Sequence, residues 1–212
     1  MKRMTLAVFA ALLMMASTSF AATQAANNNT VAPTLNVSAT IQKAVSLTLA
    51  TGTTGAISHC AVVASGGASD YTMNFGTVDA LGVNPGNCNK FNPATPGTTD
   101  AIYWTDYQML PVYTSFTTTI TGTTVTAQVT TDFAAPHNIY IVRDTANSST
   151  VPAGVGSFSA MGTGSADTVG VAGVVSGTAL TRFIGVGVKP TNGATVLNGA
   201  QTATVTFTLT VQ

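Results

Sequence analysis

The sequence predicts an all-β sandwich, and three observations carry that prediction. Residues 202–212 alternate threonine with apolar residues: Ala203, Val205, Phe207, Leu209 and Val211 fall on one side, Thr202, Thr204, Thr206, Thr208 and Thr210 on the other. A period of two is the side-chain period of a strand with one dry face. Short runs of the same kind recur between clusters of Gly, Asn and Pro, with no helical period among them. Roughly forty threonines, β-branched and suited to a pleated, half-solvated surface, supply the polar side.

The elements follow in order. Residues 1–21 read as a secretory signal peptide: Met1-Lys2-Arg3 is a basic start, Met4 to Ala16 an apolar run, and Ser19-Phe20-Ala21 a cleavage site of small residues. The run is short for a bilayer span. Residues 22–34 are small and polar and read as a flexible leader. Residues 35–212 read as a single domain, opened by the alternating run Leu35, Val37, Ala39 and Ile41. Gln42-Lys43-Ala44 interrupts it, and Val45, Leu47 and Leu49 resume it.

Further strands are expected at Ile57 to Ala64, at Tyr71 to Phe75 and at the aromatic stretch Ala101 to Tyr107. Val112 to Thr121 and Thr123 to Thr131 flank Gly122 and read as a hairpin. Asn138 to Val142 and Leu180 to Val188 read as strands, and Ala80 to Gly97 as loop. The glycine-rich stretch Asn147 to Gly177 offers one weak strand around Val169, Val171 and Val174. The final strand ends on Gln212 with nothing after it to cover its outer edge.

Composition narrows function. The chain has 7 basic and 7 acidic residues, and no glutamate. Loss of Lys2 and Arg3 with the signal peptide leaves a slight acidic excess. So low a charge density excludes a basic nucleic-acid patch and an amphipathic membrane helix. An uncharged polar surface is also poorly protected against self-association, which suits a subunit that polymerises.

Cys60 and Cys88 form an even pair, read as one disulfide in an exported protein. On the chain-entropy estimate a bridge closing a loop of about thirty residues stabilises by roughly 3–4 kcal/mol. A metal site using His59 and Cys60 is the weaker reading, since only His137 remains to complete it.

Two further motifs join these. Leu35-Asn36-Val37-Ser38-Ala39-Thr40-Ile41-Gln42-Lys43-Ala44-Val45-Ser46-Leu47 resembles the start of spore coat protein U domains, the subunits of archaic chaperone–usher pili. Asn74-Phe75-Gly76-Thr77-Val78-Asp79 is similar to a turn of that family, and the terminal Thr-Val-Thr-Phe-Thr-Leu-Thr-Val run resembles its last strand. The resemblance covers about a fifth of the mature chain. It departs at Ala44-Val45, where the family usually carries a cysteine, and at Val211, where many pilins have an aromatic residue. The Cys60–Cys88 pairing is therefore not carried over from the family.

The resemblance implies an immunoglobulin-like sandwich lacking its final strand and completed by donor-strand exchange. The donor would be Leu35, Val37, Ala39 and Ile41. The acceptor and chaperone-contact edge would be Val205, Phe207, Leu209 and Val211. The partners would be a periplasmic chaperone, an outer-membrane usher and like subunits, the product a surface pilus serving adhesion or biofilm formation. Alternation does not separate this from a first strand paired within its own chain.

Catalytic constellations are sparse. His59 and His137 are the only histidines, and no nucleophile elbow, phosphate loop or zinc-protease motif occurs. Neither an enzyme nor a cofactor is expected. The alternative function is a secreted carbohydrate- or matrix-binding sandwich using Tyr103, Trp104, Tyr107 and Tyr113. Asp100 and Asp106 flank Tyr103 and Trp104, which the same pattern also reads as core with a turn aspartate at each end.

Overall fold

The computed structural model describes residues 37–65, 71–114, 120, 122–170, 174–191 and 199–212. The expected signal peptide, the leader and Leu35 lie outside them. The chain divides into Met1–Thr40 and Ile41–Gln212. Of the first unit only residues 37–40 are described, and they are exposed and without regular structure.

The second unit is predominantly β. In chain order its described strands are β1 (Ala44–Thr51), β2 (Val62–Ala64), β3 (Tyr71–Met73), β4 (Asn89–Phe91), β5 (Ala101–Thr114), β6 (Thr123–Thr131), β7 (Ile139–Asp144), β8 (Phe158–Ala160), β9 (Asp167–Gly170), β10 (Leu180–Val188) and β11 (Thr204–Val211). One six-stranded sheet has the order β1-β5-β10-β7-β8, with β4 lying end to end with β1 on the same edge of β5. A three-stranded sheet has the order β11-β6-β9, and β2 pairs with β3. Every pairing is antiparallel.

The two larger sheets meet through one apolar core. Tyr107 and Met109 of β5 and Ile184 of β10 pack with Val125, Ala127 and Val129 of β6 and with Val169 of β9. Polar groups also join the layers. Arg182 of β10 donates through Nε to the Val169 carbonyl of β9, and Arg143 of β7 donates through Nη2 to Asp167 Oδ1 at 2.9 Å. Burial pushes the Arg182 guanidinium below its ordinary range, against the opposing pull of Tyr107 and Asp144.

The six-stranded sheet is covered on both faces at its centre. Residues 101–107 of β5 and 182–188 of β10 are buried without interruption. Ile102, Trp104, Val142 and Phe183 form a second cluster, closed over by Ile57, Phe91, Tyr140, Val155 and Phe158. Phe91 stacks on Trp104 with ring centroids 5.3 Å apart. Gly187 of β10 leaves room here for the Tyr140 ring, which would lie 2.4 Å from a Cβ at that position.

Three sequence expectations change. The hairpin expected around Gly122 lies partly outside the described residues, and its described strands are not partners: Val112 to Thr114 pair with β1, while β6 pairs with β11 and β9 in another sheet. Ala101 to Thr114 is one strand running through Pro111 rather than two. The Pro111 carbonyl accepts from the Gly177 N–H, so its nitrogen points to the same side, beyond the start of β10. No ladder bond is lost there. Third, Cys60 lies in a loop, the strand expected there being confined to Val62–Ala64. Within Ala80 to Gly97 a short β4 appears, and the glycine-rich stretch supplies β8 and β9.

Candidate functional site: the open edge between β1 and β11

β11 forms as its alternation predicts. Thr204, Thr206, Thr208 and Thr210 are exposed, and Val205, Phe207, Leu209 and Val211 turn inward. Its register on β6 runs from Val205 opposite Val129 to Val211 opposite Thr123, with an irregularity between Thr204 and Val205. Beside it in space is β1, whose Leu47 and Leu49 pack against the same core as Val205, Phe207 and Leu209.

The two strands share a property that β6, the inner strand beside β11, lacks. On β6 the inward residues Thr123, Val125, Ala127 and Val129 are buried. On β11 the inward residues are only half-buried, as are Leu47 and Leu49 of β1. Phe207 is held edge-on against Tyr107, with ring centroids 5.6 Å apart, yet remains partly open to solvent. Among the described residues, β11 has a strand on one side only, and so has β1. The expected acceptor residues are thus gathered into one incompletely covered apolar stripe beside unpaired backbone groups, an arrangement that favours an added strand.

The expected donor residues lie in a different setting. Leu35 lies outside the described residues. Residues 37–43 carry no strand, with Val37 at 84% and Ile41 at 81% exposure. The run expected as a strand is not one over its described part, and regular structure begins at Ala44.

A second cluster sits where β1 ends on β5 and β4 begins. Thr51 is the last β1 residue opposite β5, at Tyr107, and Asn89 is the first of β4, at Trp104. Thr105 and Asp106 lie between and have no strand beside them on that edge. The loop after β1 takes the place of one. Asp106 Oδ2 accepts from the Thr54 N–H at 2.9 Å, and Asp106 Oδ1 meets His59 Nδ1 at 2.6 Å. Thr105 Oγ1 accepts from the Cys60 N–H at 3.1 Å. The disulfide Cys60–Cys88 and the two hydrogen bonds between Ser58 and Asn89 complete the closure. Asp106 is fully buried, where the sequence reading placed a turn residue. Neither it nor His59 was legible as a pair, because 47 residues separate them.

The turn at Asn74 to Asp79 organises the next loop. Asn74 Oδ1 accepts from the Gly76 N–H, and Gly76 adopts φ +74°. The Asp79 carboxylate accepts from the N–H groups of Leu81, Val83 and Asn84. Lys90 Nζ donates to the carbonyls of Gly82 and Asn84 in the same loop. Partial burial raises the Asp79 pKa, but those three amides outweigh it and hold the carboxyl below its ordinary value.

The aromatics expected for a ligand do not face one. Tyr103, Trp104 and Tyr107 are 1%, 4% and 3% exposed, and stacking on a sugar needs an open ring face. Tyr113 donates its hydroxyl to the Val174 carbonyl. Burial pushes the phenols of Tyr103 and Tyr107 upward. Among the described residues no cluster of three or more metal-ligating side chains occurs, and no helix is long and apolar enough to cross a membrane. No family model, no curated protein and no solved structure matches this chain.

Proposed function

We propose that this chain is a structural subunit of a surface filament, an immunoglobulin-like sandwich whose β1–β11 side is completed by an extended segment from another subunit. The observation that carries the reading is the contrast between β6 and β11. Inward residues are covered on the inner strand and half-open on the outer one. A strand added along β11 would take up the unpaired backbone groups and cover Phe207, Leu209 and Val211.

The donor in this reading is the alternating run Leu35, Val37, Ala39 and Ile41 of a neighbouring subunit. Exposure of Val37 and Ile41 supports it. Burying the three larger donor side chains would contribute about 5–9 kcal/mol before ordering costs, at roughly 1.5–3 kcal/mol each. An open apolar edge of this kind calls for a chaperone before assembly. A periplasmic chaperone, an outer-membrane usher and export through the periplasm to the cell surface follow from the resemblance to spore coat protein U subunits, as does a role in adhesion or biofilm formation.

Deletion of residues 34–41 tests the reading. The shortened subunit should still engage a chaperone yet fail to extend a filament, as seen by electron microscopy of cells carrying it. Normal filaments from that deletion would refute the donor assignment.

A further inference from the structure

We propose that, when no donor occupies it, the β11 edge pairs with the β11 edge of a second copy of this chain, antiparallel about a two-fold axis at Thr208. The inference shares the open edge with the function above but does not depend on the donor segment.

An edge strand is a template for another strand unless something blocks it. Proteins block edges with Lys, Pro, inward charges or bulges. β11 has none of these between Val205 and Val211, its single irregularity lying at the Thr204 end. The neighbouring β6 reads Thr-Thr-Val-Thr-Ala-Gln-Val-Thr-Thr and carries no charge either. Two identical copies brought together here meet no like-charge repulsion, which is the usual obstacle to an isologous contact.

The pattern of β11 is also complementary to itself. Residues directly opposite in an antiparallel pair point to the same face. Central registers that keep inward opposite inward therefore place either Thr208 or Phe207 on the axis. With Phe207 on the axis, two rings would face each other on the side where each already packs edge-on against Tyr107. With Thr208 on the axis, Phe207 lies opposite the second copy's Leu209, Val205 opposite its Val211, and Thr206 opposite its Thr210. The ring of Phe207 then meets the smaller Leu209 rather than a second ring, valine meets valine beyond it, and the hydroxyl face pairs threonine with threonine. The axis stands perpendicular to the joined sheet, so both six-stranded sheets cover the same face of that joined sheet. The half-buried Leu47 and Leu49 of each β1 then border the same seam.

Cross-linking in the mature chain tests this. No free cysteine occurs among the described residues, and Cys60 and Cys88 are bonded to each other, so Thr208→Cys introduces a lone outward thiol. Opposite Cα atoms in an antiparallel pair are about 4.5–5.5 Å apart, a span a disulfide bridges. Mild oxidation should yield a species of twice the chain mass. Thr206→Cys should not cross-link alone but should do so when mixed with Thr210→Cys. Thr208→Lys sets two ammonium groups against each other and should give a monomer mass by sedimentation with an unchanged β circular dichroism spectrum.

Absence of a cross-link in the Thr208→Cys variant, or a cross-link by Thr206→Cys alone, overturns the pairing. A synthetic peptide of residues 34–43 separates the two proposals. If it fails to reduce cross-linking, the donor reading loses support while the two-fold pairing stands. If it abolishes cross-linking, both occupants compete for one edge.

Discussion

Asp106 Oδ1 lies 2.6 Å from His59 Nδ1, at the point on β5 where one neighbouring strand has ended and the next has not begun. The carboxylate occupies the space where a Cβ on Gly52 would sit, 1.9 Å from Asp106 Cγ. Asp106→Ala leaves the Thr54 N–H and His59 without their acceptor and should cost about 2–3 kcal/mol in denaturant unfolding. Gly52→Ala should be similarly harmful in the native background and nearly harmless in Asp106→Ala, because the overlapping atoms are gone. Equal costs of Gly52→Ala in both backgrounds would show that the glycine serves some other constraint.

Acid should loosen the fold through Asp79 and Asp167. The Arg143 hydrogen bond beside Asp167 holds that carboxyl below its ordinary value of 3.8, against partial burial and with help from the Gly162 amide. Asp79 is also depressed. A folded-state value below the unfolded one means stability is fully present above the ordinary carboxylate range and is lost as pH falls through the depressed values. Stability should therefore be flat from neutrality to about pH 5 and fall below about pH 4. Asp79→Asn and Asp167→Asn should each make that acid limb shallower, as read from denaturant midpoints against pH.

Reduction of Cys60–Cys88, or Cys60→Ser with Cys88→Ser, should destabilise by roughly 3–4 kcal/mol. At about 2–4 °C per kcal/mol for a chain of this size, the thermal midpoint should drop by roughly 6–16 °C. The bridge also holds the strap over Thr105, so amide exchange at Cys60 and Thr54 should accelerate more than exchange in β10.

Trp104 is the chain's single tryptophan, and it sits among Phe91, Phe158 and Phe183. Its emission should be blue-shifted, resistant to iodide, and unchanged by added oligosaccharides. Quenching by iodide or a shift on glycan addition would reopen the reading of Tyr103, Trp104 and Tyr107 as a binding platform.

Some of this was legible in the chain and some was not, for identifiable reasons. β11 and β10 were readable: β11 has one wet and one dry face, and β10 is bounded by turn residues. The continuity of β5 was hidden because both faces of Ala101 to Tyr107 are covered, which erases alternation, and because Pro111 looks like a break until its neighbour strand is known to have ended. The Gly122 hairpin misled because proximity in sequence suggested pairing, whereas tertiary packing sent the two strands to different sheets. The alternating runs proposed as donor and acceptor stand out in the sequence, but only the fold separates the covered residues of β6 from the half-open ones of β11. The Asp106–His59 contact left no local signal, since its partners meet only after β1 and β4 dock.

β5 carries a consequence for how the molecule is made. Its inner register joins Tyr103 to Val186 and Ala101 to Val188. A chain synthesised from its amino end has produced β1, β4 and β5 long before β10 exists to bind them. Sheets built on such distant pairings form slowly, and during that interval the aromatic stretch Ala101 to Tyr107 stands bare to any passing neighbour. The length of that exposure is set by how quickly the last third of the polypeptide follows.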